Sequence, residues 1–239
     1  MDTSFAYGMW IAVVFSVALF LAFLLSFLPP KGRIEWRNMG MITAFLVALF
    51  TEMYGFPLTI YLLTGWLGQA YPVLEPFSHK YGHLWVVLLG GSTWVWMAVM
   101  ALSLALQFAG YLLLSKGWRL VHAAEGSPVT TGVYAYARHP QYTGLFLFIL
   151  GFLVQWPTLL TVLMAPVLAL AYARLARREE RHMLARHGDT YGAYAARTPA
   201  FFPPWNQWWA FLRAQPVQPI PVARPPAAAP RIPAPDERR

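Results

Sequence analysis

Four apolar stretches separated by polar segments set the frame of this chain. Tyr7 to Leu28 is uncharged and about as long as a hydrocarbon core of roughly 30 Å requires, with Pro29-Pro30 ending it. This first span lacks basic residues before it and a small-residue cleavage site after it, so the sequence predicts a retained helix rather than a removed leader. Met39 to Leu67 is long enough to cross with tilt and carries Glu52 near its middle. From Tyr81 to Ser115 no Lys, Arg, Asp or Glu occurs, and Gly90-Gly91 divides a short piece from a helix predicted over Ser92 to Leu114.

The fourth stretch, Tyr142 to Ala173, is cut by Trp156-Pro157 and reads either as one kinked helix or as a tight hairpin. Charge decides between the two. With the N-terminus outside and a hairpin, Lys31, Arg33, Arg37, Lys116, Arg119, Arg138 and the basic C-terminal segment all lie on the cytoplasmic side, leaving Lys80 outside. A single kinked helix puts Arg174, Arg177, Arg178 and Arg181 on the opposite side from the other basic loops, against the positive-inside rule. The expected fold is therefore an all-α membrane helical bundle of about five transmembrane helices, with a cytoplasmic C-terminal helix and loop. Its expected parts are N-terminal spans over 1–80, a core over 81–212, and a disordered Pro/Ala-rich tail over 213–239.

Composition agrees with a membrane protein: 58% hydrophobic residues, 12% charged and a mean hydropathy of +0.45. Without cysteine, thiolate metal sites and cysteine nucleophiles are excluded. The net charge of +8 sits beside apolar segments and reads as topology, so no nucleic-acid partner is expected. No metal site is expected either, since His79 and His83 have no carboxylate nearby.

A hairpin brings two distant segments together. One is GVYAYARHPQYTGLFLF, with Arg138, His139, Tyr142 and Gly144; the other carries Glu179, Glu180, Tyr191, Tyr194 and Arg197, with a break at Gly188. Singly these have ordinary explanations. Arg138 would anchor a helix end, His139 would cap one, and Glu179-Glu180 among arginines would make surface pairs of roughly 0.3 to 0.5 kcal/mol each. The aromatics of FFPPWNQWW would form an interfacial belt. Glu52 differs, because an ionisable group in mid-membrane is a functional candidate by default, with a hydrogen-bonded structural glutamate as the alternative.

Taken together, Arg-His-Pro-x-Tyr-x-Gly, an apolar hairpin, Glu179-Glu180 and YGAYAARTPAFFP resemble the C-terminal half of the isoprenylcysteine carboxyl methyltransferase and phospholipid methyltransferase superfamily, over roughly Val129 to Pro203. The resemblance implies a membrane enzyme that uses S-adenosyl-L-methionine, with the cofactor at the cytoplasmic surface. It implies cofactor binding by Tyr134, Arg138, His139, Tyr142, Gly144, Glu179 and Glu180. That cofactor carries a carboxylate, which Arg138 or His139 can meet, and an ammonium and ribose hydroxyls, which suit carboxylates. Adjacent on a helix, Glu179 and Glu180 point about 100° apart, so one is expected to face the cofactor and the other to pair with arginine. Gly144 is expected to let the cofactor approach the backbone, with Trp156 a further candidate wall.

Tyr191, Tyr194 and Arg197 are candidates for substrate binding, and Arg138, Arg197 and Glu52 for catalysis. An acceptor carboxylate needs only orientation, whereas an ammonium must lose a proton to a base such as His139 or Glu52. The expected partners are the bilayer and a lipophilic or lipid-modified acceptor, in a bacterial inner membrane. The expected reaction is carboxyl methylation of an isoprenylcysteine-like acid; a phospholipid amine or thiol acceptor, or a non-catalytic transporter or scaffold, remain as alternatives.

Overall fold

The computed structural model describes residues 7–27, 33–67, 82–124 and 128–214. The expectations for Pro29-Pro30, Lys31, His79, Lys80 and the tail from residue 215 lie outside them. Among the described residues every regular element is helical, with no strand.

Helix α1 (Trp10–Phe27) packs on α2 (Arg33–Phe50), which passes through a π-helical turn (Thr51–Gly55) into α3 (Leu58–Leu67). The Phe56-Pro57 break bends this second stretch by 72°, as a proline without an N–H dictates. A short α4 (Leu84–Leu88) ends at Gly90 and Gly91, both with positive φ (92° and 69°), and α5 (Thr93–Ala123) begins at Ser92, whose side chain caps Val95 N.

The fourth apolar stretch is two helices. Pro140 opens α6 (Pro140–Gln155) at a position where a missing N–H costs nothing. Trp156-Pro157 stops it, and Thr158 starts α7 (Leu159–Arg197) through a reciprocal capping box with Thr161. The chain returns on itself, since Arg138 before α6 reaches Glu180 on α7. Gly188, with φ +50°, breaks α7 and turns its last segment back. A final α8 (Trp208–Arg213) is tied to α5 by Lys116 Nζ donating to Leu212 O at 2.6 Å.

Helices α5 and α7 are long and apolar enough to cross a membrane, and the bent α2–α3 pair makes a third if it is one span. The apolar helices Trp10–Ser26 and Pro140–Gln155 fall short of that length. Among the described residues two or three candidate spans thus stand where the sequence predicted about five; Phe56-Pro57 bends the second stretch and Trp156-Pro157 stops α6.

One contact sets the core. Where α5 crosses α6, a Cβ on Gly110 would lie 2.5 Å from Gly144 O, and one on Gly144 would lie 2.6 Å from Gly110 O. Small residues let the backbones approach, as in membrane helix pairs generally. The bare face of Gly144 therefore serves helix packing against α5.

Glu52 is buried in the π-helical turn, and its Oε2 accepts from Thr59 N at 2.8 Å. Thr59 Oγ1 in turn accepts from Leu159 N at 2.8 Å, joining the bend to the hairpin tip. Glu52→Leu would orphan the Thr59 N–H and should cost about 1–3 kcal/mol, whereas Glu52→Gln keeps an acceptor. Thermal unfolding in detergent should separate the two; equal stability would remove this role.

Candidate functional site

The site forms where the turn before α6 meets the second half of α7. The Arg138 and His139 backbone N–H groups donate to Pro199 O and Ala200 O, both at 2.9 Å, so the segment after α7 lies along the Arg-His turn. Arg138 Nε donates to Glu180 Oε1 at 2.7 Å, and its Nη1 donates to Ala195 O and Thr198 O at 2.7 and 2.6 Å. One guanidinium thus fixes the helix and the segment that follows it. Such charge-assisted bonds are about twice as strong as neutral ones.

His139 is buried, with Nε2 3.0 Å from Glu180 Oε1. Its Nδ1 stands 3.5 Å from Glu179 Oε2, an ion-pair distance without hydrogen-bond geometry. Tyr142 O–H donates to Glu179 Oε1 at 2.7 Å. The two glutamates therefore differ: the Glu180 side chain is 19% exposed and held by Arg138 and His139, while that of Glu179 is 36% exposed.

A second layer closes the turn from behind. Tyr194 O–H donates to Tyr134 O at 2.7 Å, and Tyr134 O–H donates to Gln141 Oε1 at 2.9 Å. Thr143 Oγ1 donates to Phe201 O, a contact the motif reading missed although Thr143 stands inside the motif. Burial pushes the Tyr191 phenol up to about 12 and raises that of Tyr194 as well, so both are neutral near pH 7.

Burial also pushes the Glu180 carboxyl up, but the hydrogen bonds and charges of Arg138 and His139 outweigh it and hold the group below the ordinary glutamate range. A carboxyl depressed in the folded state stabilises the fold above its unfolded pKa, and that stability is lost as pH falls through the folded value. Acid unfolding should steepen below about pH 4.3, the ordinary glutamate value. Glu180→Gln should remove that extra steepness; a variant with the wild-type acid profile would contradict the pairing.

An open cleft of about 570 Å³ adjoins the cluster, lined by Arg138, Ala195, Arg197, Thr198, Phe202 and Pro203 among others. Among the described residues, two arginines and no carboxylate line it. Arg197 is exposed, and its Nε donates to Ala193 O on its own helix at 3.1 Å.

The structure thus gathers Tyr134, Arg138, His139, Tyr142, Glu179, Glu180, Tyr191, Tyr194 and Arg197 into one region. Glu52 and Trp156 stand elsewhere. Glu52 is linked to the N-terminus of α7, about 30 Å along the axis from Glu179 at roughly 1.5 Å per residue. Trp156 packs at the hairpin tip with its ring 4.8 Å from that of His83, so the wall proposed for it is not at this site. Among the described residues no group of three His, Asp or Glu is placed to hold a metal ion.

Residues 88–190 match the phospholipid methyltransferase family. Curated relatives include a nickel-cobalt-cadmium resistance protein of Alcaligenes xylosoxydans xylosoxydans, 30% identical over 125 residues (49% of this chain, 57% of that protein). A cobalt-zinc-cadmium resistance protein of Cupriavidus metallidurans is 32% identical over 123 residues (49% and 56%). The protein-S-isoprenylcysteine O-methyltransferase of Schizosaccharomyces pombe is 34% identical over 76 residues (31% and 32%). The chain spans little more than half the length of the two bacterial relatives. No solved structure matches it significantly.

Proposed function

We propose that the protein is an S-adenosyl-L-methionine-dependent methyltransferase acting on a lipophilic acceptor, with carboxyl O-methylation of an isoprenylcysteine-like acid as its reaction. The observation that carries this reading is the cluster of Arg138, His139 and Glu180 beside the more exposed Glu179, inside the segment matched to the family. The donor set fits the cofactor. His139 Nδ1 is buried without a hydrogen-bond partner, Glu179 presents a carboxylate that is one-third exposed, and Arg138 faces the cleft.

When bound, S-adenosyl-L-methionine supplies a methyl group on a sulfonium. Glu179 would hold its ammonium or ribose hydroxyls, oriented by Tyr142. Glu180 is the positioning residue, since its Oε1 is the shared acceptor of Arg138 and His139. Methyl transfer from a sulfonium depends on alignment and exclusion of water, and the returning segment with Phe201 and Phe202 covers the turn. Arg197, at the cleft, would orient an anionic acceptor. Arg197, with no carboxylate among the described lining residues, favours a carboxylate over an ammonium, which makes a phospholipid amine the second choice.

In the membrane we assign five crossings, α1, bent α2–α3, α5, α6 and α7, with the N-terminus outside and the site at the cytoplasmic face of a bacterial inner membrane. The 1–80 and 81–212 division follows the same scheme. The test supplies methyl-labelled cofactor with either an S-farnesyl thioether acid or phosphatidylethanolamine. Base-labile label on the acid is expected; base-stable label on the amine would select the second choice, and no transfer to either would count for a transporter or scaffold.

A further inference from the structure

We propose that Asn38 on α2 and Tyr172 on α7 form a subsite for the oxygen-bearing head of the methyl acceptor; this rests on the methyltransferase reading above. Asn38 is only 7% exposed, and its Nδ2 is buried without a hydrogen-bond partner. Buried polar groups are nearly always paired, so an amide with idle protons at this depth is a feature to be explained. An apolar residue would fill the same place without that cost.

Its position ties it to the cofactor cluster. Tyr172 O–H donates to the backbone oxygen of Asn38 at 3.2 Å, fixing α2 against α7 at this height. The Tyr172 ring stacks on the Tyr142 ring, with centroids 5.6 Å apart, and the Tyr142 hydroxyl holds Glu179. Tyr172 and Glu179, two helical turns apart, share one face of α7. Asn38 is thereby linked to Glu179 through two tyrosines. The partly buried Met39, Met41, Phe146 and Phe201 pack around the same core, giving apolar surface for a lipid tail.

The free group is a donor, which sets the ligand chemistry. A carboxylate or phosphate oxygen accepts from an amide N–H, whereas a protonated amine, being donor-only, would leave the amide unpaired. The head therefore presents an acceptor oxygen, and the two anionic sources that the methyltransferase reading offers, a carboxylic acid or a phosphate, are separable by experiment. The sequence reading passed over Asn38 because it stands in WRNMG, ahead of the apolar run and far from the motif.

The experiment uses full-length protein in detergent, saturated with S-adenosylhomocysteine, titrated with an S-farnesyl thioether acid or with a farnesyl monophosphate. Wild type should bind at least one of them, and Asn38→Ala should weaken that binding about tenfold, with the unfolding temperature and S-adenosylhomocysteine affinity unchanged. Asn38→Asp, which sets a carboxylate against the anionic head, should bind more weakly still, and Asn38→Gln should recover part of the loss. Equal affinity in wild type and Asn38→Ala would overturn the subsite. So would a wild type that binds S-adenosylhomocysteine but neither amphiphile, or an Asn38→Ala variant whose unfolding temperature and cofactor affinity fall together. A wild type that fails to bind S-adenosylhomocysteine would instead remove the methyltransferase reading, and the subsite with it.

Discussion

Glu180→Ala is expected to lower both S-adenosylhomocysteine affinity and methyl transfer by about 100-fold. Its Oε1 is the shared acceptor of Arg138 Nε and His139 Nε2, at 2.7 and 3.0 Å. The variant leaves a guanidinium 17% exposed with only two backbone carbonyls to hold it. Removing one partner of a buried pair costs about 3–5 kcal/mol. The 100-fold loss corresponds to about 2.8 kcal/mol at roughly 1.4 kcal/mol per factor of ten, the cost of re-ordering the released Arg138 and His139 before the cofactor can bind. Arg181→Ala, on an exposed position of the same helix, should change little. Wild-type binding by Glu180→Ala would contradict the positioning role.

The second large effect is on folding. Gly144→Ala places a methyl 2.6 Å from Gly110 O and 2.8 Å from Leu114 N. Both neighbours are backbone atoms on a packed helix, so no flexible side chain can yield. Overpacking usually costs about 1–3 kcal/mol, and this site belongs at the upper end. Thermal unfolding in detergent should show a marked loss for Gly144→Ala and for Gly110→Ala. Gly192→Ala, whose added methyl meets only Leu184 Cδ2 at 3.9 Å, should be unchanged or slightly stabilised. Equal behaviour of all three variants would mean that the α5–α6 crossing is not built on these glycines.

Much of this was legible because it is local. Apolar length, Trp156-Pro157 and the side of the arginines pointed to a hairpin, and a hairpin is what carries Arg138 to Glu180 across the turn. Gly188 announced the break in α7, since only glycine takes φ +50° at no steric cost. What the sequence hid depends on tertiary contact. Gly144 lies inside the Arg-His-Pro motif, and its packing partner is Gly110, on a helix whose register no local pattern reveals. Glu52 looked catalytic by its depth, but an N–H freed by the Phe56-Pro57 bend is what it meets. The difference between Glu179 and Glu180 arises from the rotation of α7 against the Arg-His turn, which two adjacent identical residues cannot encode.

The measurement that tests the central claim most directly is a calorimetric titration of the purified, lipid-supplemented protein with S-adenosylhomocysteine. One saturable site is predicted in the wild type. A folded protein that takes up no S-adenosylhomocysteine would contradict the account, and the Arg138–Glu180 cluster would then be a clamp that closes the helical hairpin at the membrane surface.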